Sequence, residues 1–233
     1  MIRRDYILRA VEECAAALAR IMRLVEAEQL AAARIELDGE LQKLAGGDSD
    51  AVDRLSENEL LARLMTGAPT SAVNTKCLLL VALLKQAAEV HAAQGRADDG
   101  RASLLTALNL LLGVHLRETE LASPDFVPRV EDLVLALAGC DLPSRTNAAL
   151  MQHYERIGEF AKAEDRLFVI VDAEPDNTGL REWGIAFYER LLRQSDAALA
   201  AGNLPRAEVD TGLAELRKAL PTHEAEGGQD SSS

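Results

Sequence analysis

Aromatic residues are scarce in this 233-residue chain: Phe, Trp and Tyr together make up 3% of it. Strands favour aromatic and β-branched side chains, so this shortage argues against a sheet. Glycine and proline are also few, at 15 and 7. No run alternates apolar with polar residues, and an all-β sandwich or barrel is thereby excluded. The three cysteines, Cys14, Cys77 and Cys140, stand singly with no C-x-x-C pair. That pattern offers neither a disulfide framework nor a zinc site, and buried small side chains in a reducing compartment are expected instead. Basic residues are outnumbered 25 to 38, giving a net charge of −13. Without a basic footprint to neutralise phosphates, no nucleic-acid partner is expected. The longest apolar run, Cys77 to Leu84, is far too short to cross a bilayer, and the charged opening lacks the apolar core of a signal peptide. These absences predict a cytoplasmic protein that does not enter membranes.

What the chain does have is alanine and leucine at helical spacing. Both are strong helix formers, and an all-α fold follows. Ile7, Val11, Cys14, Leu18, Ile21 and Val25 recur at alternating four- and three-residue steps, which predicts a first helix over about 4–27. That seam packs into the domain core or joins a second copy of the chain, and both readings stay open. Gly46-Gly47-Asp48-Ser49-Asp50 reads as a loop; Ser56 and Glu59 then have the spacing of a capping box at the start of a shorter helix, which Gly67-Ala68-Pro69 stops. Helices over 70–94 and 98–116, apolar nearly all round, are expected at the centre. Ser123-Pro124-Asp125 predicts a helix start, with proline in the first turn. A single long helix is expected over about 180–201, carrying Trp183, Phe187 and Tyr188, which pack on the last hairpin or anchor a partner.

Four turns share one shape: Glu28-Gln29-Leu30, Gly95-Arg96-Ala97, Gly158-Glu159-Phe160 and Gly202-Asn203-Leu204. Each is followed by a small residue one turn into the next helix, at Ala33, Gly100, Ala163 and Ala207, where two helices should touch. The turns are 67, 63 and 44 residues apart, so the units they close are unequal in length.

The stretch from Ser144 to Asn177 carries Leu150, Tyr154, Gly158, Phe160, Ala163, Leu167 and Pro175. Over 34 residues this resembles the tetratricopeptide pattern W-x2-L-G-x2-Y…A-x3-F…P. Asn147, Met151 and Leu167 depart from its Trp, Gly and Phe. The opening Met1-Ile2-Arg3-Arg4-Asp5-Tyr6 also resembles small bacterial helical proteins that begin Met-Ile-x-Arg-Asp-Tyr and have no assigned activity. These resemblances imply a tetratricopeptide-like stack of antiparallel helical hairpins, about nine helices in one domain over residues 1–222. Residues 223–233 read as a disordered acidic tail.

Chemistry is hard to find. Glu-x-x-His and H-E-x-x-H are missing, and His91, His115, His153 and His223 stand apart. There is no G-x-S-x-G elbow, and Gly46-Gly47 lacks the lysine and hydroxyl of a phosphate loop. No metal, cofactor or catalytic residue is expected. The resemblance implies a non-catalytic scaffold that holds a peptide or helix against the first helices of its hairpins. The residues placed on that face are Lys85, Glu89, Arg145, Gln152, Glu155 and Arg156. Lys85 and Arg156 could grip an acidic peptide end. Two alternatives remain: a structural homo-oligomer, such as a homodimer, joined through Ile7, Val11, Leu18, Ile21 and Val25, and a small-molecule sensor or enzyme with a pocket near His91 and His115.

Overall fold

The computed structural model describes residues 2–66, 70–118 and 122–219, with side chains for 7–66, 72–118 and 122–219. The described residues form twelve helices and no strand, packed largely as neighbouring pairs. The all-helical expectation holds and the count of about nine does not. One extra helix lies in what read as the loop after Gly46-Gly47, and another comes from a break in the long helix expected over 180–201. Where the sequence reading drew one domain over 1–222, the chain divides into two compact units, Met1–Asp141 and Leu142–Ser233. The stop expected at Gly67-Ala68-Pro69 and the tail over 223–233 lie outside the described residues.

The first unit holds α1 (Ile2–Glu26), α2 (Leu30–Ala45), α3 (Ser49–Val52), α4 (Glu57–Met65), α5 (Thr70–Ala93), α6 (Ala97–Arg117) and α7 (Val130–Ala136). Every side chain from Cys77 to Leu84 on α5 is buried, as an all-round apolar helix requires. α6 runs back along α5, while α1, α2 and α4 cover its other sides. The expected capping box forms at α4: Ser56 N donates to Glu59 Oε2 at 2.8 Å, and Glu59 N donates to Ser56 Oγ at 3.3 Å. α7 starts at Val130, later than the expected start at Ser123-Pro124-Asp125. Pro128 disfavours helical backbone at Val127, and the helix begins only once Asp132 can accept from Arg129 N at 2.9 Å.

The second unit holds α8 (Ser144–Ile157), α9 (Phe160–Ala173), α10 (Thr178–Leu191), α11 (Asp196–Ala201) and α12 (Arg206–Ala219). The chain breaks after α10 because its freed carbonyls find a partner. Arg206 donates to Gln194 O at 2.7 Å and to Leu192 O at 3.2 Å, and Ser195 caps α11. α10 consequently packs on α12, with Phe187 and Tyr188 buried and Trp183 half-buried. Gly212 makes room for the Tyr188 ring; a Cβ there would lie 2.3 Å from the Tyr188 hydroxyl.

The four aligned turns share one hydrogen bond. Gln29, Arg96, Glu159 and Leu204 each donate their backbone N–H to the carbonyl five residues back, at Leu24, His91, Tyr154 and Leu199. The residue before each donor is left-handed: Glu28 (φ 57°), Gly95 (75°), Gly158 (82°) and Asn203 (58°). This is the Schellman closure, in which orphan carbonyls at a helix end are recaptured. In the fourth turn Asn203, and not Gly202, takes the left-handed position, which shifts the register by one residue. Ala207 is therefore exposed, whereas Ala33, Gly100 and Ala163 are buried as expected.

Candidate functional site

The six residues expected on one binding face fall in both units. Lys85 and Glu89 lie on α5 and pair with each other at 2.5 Å, while Gln86 Nε2 donates to the second Glu89 oxygen at 2.7 Å. Arg145, Gln152, Glu155 and Arg156 all lie on α8. On α8 the apolar side turns inward through Leu150, Met151 and Tyr154, which leaves Arg145, Gln152 and Arg156 exposed. Glu155 is held by Arg190 of α10 through two hydrogen bonds, 2.6 and 2.8 Å long. Farther along the same unit, Arg217 of α12 donates to Glu189 of α10 at 2.8 Å. Salt-linked charges thus join three helices of this unit on exposed surface.

The N-terminal seam is mostly internal. Leu18 and Ile21 are buried against the first unit's own helices, and Ile7, Val11 and Val25 are half-buried. What α1 turns outward is a different stripe, with Leu8 and Met22 each about half exposed at 52% and 48%.

Sequence reading missed a part-buried carboxyl in the first unit. Asp53, just after α3, reaches the turn end of the α5–α6 hairpin. It accepts from Ser103 Oγ at 2.8 Å and faces His91 Nε2 at 3.2 Å. His91 is 1% exposed, so its side chain is sealed inside the unit. Burial pushes the Asp53 carboxyl up, against the opposing pull of Ser103 and His91. Outside this pair, Asp50 binds Arg34 at 2.5 Å and Arg96 at 3.0 Å, and the hydrogen bond from Arg96 leads in holding its carboxyl low. Ser49 N donates to Asp38 Oδ1 at 2.8 Å. Two aspartates three positions apart on α3 and its end therefore bracket the α5–α6 turn.

The bracket has the residue types of a hydrolytic triad in the wrong order. Ser103 donates to Asp53 and to Asp99 O, with no histidine between, so the serine–histidine–aspartate relay is not formed. His115 sits near the far end of α6, roughly 27 Å along the helix axis from the turn beside His91. It is half-buried, and burial lowers its pKa. The two histidines of the pocket alternative do not converge. Among the described residues no three His, Cys, Asp or Glu side chains are grouped to hold a metal ion. Cys14 and Cys77 are buried and Cys140 is half-buried, and all three thiols are free. Burial pushes the Cys14 thiol up to about 12, which leaves it un-ionised and unreactive at neutral pH. Among the described residues no helix is long and apolar enough to cross a membrane.

Residues 1–220 match the model of a family of unknown function, DUF6483, and the chain belongs to that family. No curated protein and no solved structure matches it.

Proposed function

We propose that this family member is a non-catalytic, tetratricopeptide-like interaction protein of the cytoplasm, which holds a peptide or helix on the first helices of its second unit. The observation that carries the reading is the relation of α8 to α10. Each has 14 residues, and their starts at Ser144 and Thr178 are 34 positions apart, the length of one tetratricopeptide unit. The Glu155–Arg190 pair links the side chains of the two helices, which supports reading them as successive first helices of a repeat. Arg145, Gln152 and Arg156 are exposed on α8, and the basic pair suits an acidic peptide end. Lys85, engaged by Glu89 in the first unit, is not needed for this grip.

The test is a photo-cross-linking side chain placed at Gln152, with the same side chain at Asp165 on α9 as control, in cells that make the protein natively. A discrete protein adduct at position 152 and none at 165 supports the proposal. Equal labelling at both positions, or none at either, refutes it.

Self-association is the second reading, and the outward stripe of α1 is what favours it. Leu8 and Met22 lie four turns apart on the face that the unit's own core leaves uncovered. Sedimentation of the wild type beside Leu8→Lys, Met22→Lys decides this: a dimer lost in the variant supports the reading, and a wild-type monomer at high concentration removes it.

A further inference from the structure

A cavity opens between α1, α2 and α5. Its volume is about 140 Å³, and its floor is apolar, made of Leu44, Leu79 and Leu83 with Ala10 beside them. An engineered protein cavity of ~150 Å³ holds benzene, so the space suits a body of about six or seven carbon atoms.

Charge surrounds that floor unevenly. Glu13 and Glu40 line the cavity with a single cation, Lys43. Lys43 Nζ binds Glu40 Oε1 at 2.7 Å, yet its side chain is 73% exposed and hardly packed, whereas the Glu40 side chain is only 14% exposed. Among the described residues the second oxygen of Glu40 has no hydrogen-bond partner and Glu13 has no ion pair. Deeper in, Cys14 is 5% exposed and forms no hydrogen bond. An ammonium group has three donors and no acceptor, which matches a rim of carboxylate oxygens and leaves nothing unpaired. Glu40 has already captured the tethered ammonium of Lys43, and the excess of acid leaves the site electronegative.

We infer that this cavity is a binding site for a small organic ammonium, whose hydrocarbon body fills the Leu44–Leu79–Leu83 floor and whose head is bridged by Glu13 and Glu40. Lys43 is then an internal competitor for the same carboxylate. The inference is independent of the peptide-binding proposal, which concerns the other unit. Burial and the nearby Glu40 charge both keep the Cys14 thiol neutral, which agrees with an electronegative cavity.

Cyclohexylamine is the probe, and cyclohexanol its neutral isostere. The full chain is titrated with each, following backbone amide shifts by NMR, in the wild type, Glu40→Gln and Lys43→Met. The expected result is saturable binding of the amine with shifts centred on Ala10, Leu44 and Leu79. Lys43→Met should bind about threefold more tightly, and Glu40→Gln at least tenfold more weakly, the scale of one charge-assisted hydrogen bond. Cyclohexanol binding as tightly as the amine, Glu40→Gln binding like the wild type, or no saturable shift in the wild type would each overturn the inference.

Discussion

Arg190 grips Glu155 from 35 positions away, through Nε at 2.6 Å and Nη2 at 2.8 Å, in the two-pronged geometry that suits guanidinium and carboxylate. Arg190 is itself 43% exposed, so water screens the pair and its energy is small. Its value lies in linking α8 to α10. Arg190→Ala should cost roughly 0.5–1 kcal/mol. The charge-swapped double variant Glu155→Arg, Arg190→Glu should recover part of that. Urea unfolding of the singles and the double gives the coupling, and a coupling of zero would show that the pair does not join the two helices.

Glycines in these helices should respond to alanine with opposite signs. Gly100 faces Ala88 closely enough that a Cβ would sit 3.0 Å from the Ala88 carbonyl oxygen, part of rigid helix backbone. Gly39, exposed on α2, has nothing within 4 Å of its Cβ position. Gly100→Ala should destabilise by about 1–2 kcal/mol through overpacking. Gly39→Ala should stabilise by about 0.5–1 kcal/mol through helix propensity alone. Chemical denaturation of both variants checks the pair of signs.

The Asp53 bracket should matter to stability. Replacing Asp53 with Ala takes one of the two acceptors from the buried Ser103 hydroxyl and leaves the sealed His91 without the carboxyl it faces. A loss of about 2 kcal/mol is expected, the scale of a buried polar group left unpaired. Ser103→Ala should cost less, because Asp53 keeps His91. If Asp53→Ala is neutral in urea unfolding, the bracket is incidental.

A carboxylate in the second unit gives a pH signature. Burial raises the Glu164 carboxyl, outweighing the 2.5 Å hydrogen bond it accepts from Tyr188, whose own hydroxyl is also pushed up, chiefly by burial. A raised folded pKa means the fold binds this proton more tightly than the unfolded chain. Its stabilising contribution is full below the unfolded value near ~4.3 and is lost as pH rises through the folded one. Glu164→Gln keeps an acceptor for Tyr188 without the charge. Its Tm should exceed that of the wild type at about pH 7, and the difference should shrink toward zero at about pH 4. A difference that grows on acidification would reverse the assigned sign.

Local signals in the sequence were legible and long-range ones were not. The Ser56–Glu59 capping box, and the left-handed turns at Gly95 and Gly158, could be read directly because each rests on neighbouring residues. Gly202 was legible only as a turn. Its φ is −83°, and it is glycine for space: a Cβ would lie 2.4 Å from both Gly158 O and the Phe160 ring. That contact joins residues more than forty positions apart, as does the hydrogen bond from Ala161 N to Gly202 O at 3.0 Å. The break before Ser195 depends on Arg206, a residue outside the local pattern of α10. Asp53, His91 and Ser103 come from three segments with no common spacing, and only packing brings them together. On the candidate face, the outward set on α8 followed from helical periodicity, whereas the partner of Glu155 did not.

The most direct test of the central claim is affinity isolation with full-length protein, quantified by mass spectrometry, comparing the wild type with Arg145→Glu, Arg156→Glu and with Asp165→Lys. Circular dichroism and Tm first establish that all three are folded. The account predicts a protein retained by the wild type and by Asp165→Lys, and depleted about tenfold or more by the double reversal, a change of ~1.4 kcal/mol or greater. The same proteins recovered equally by all three baits would contradict it.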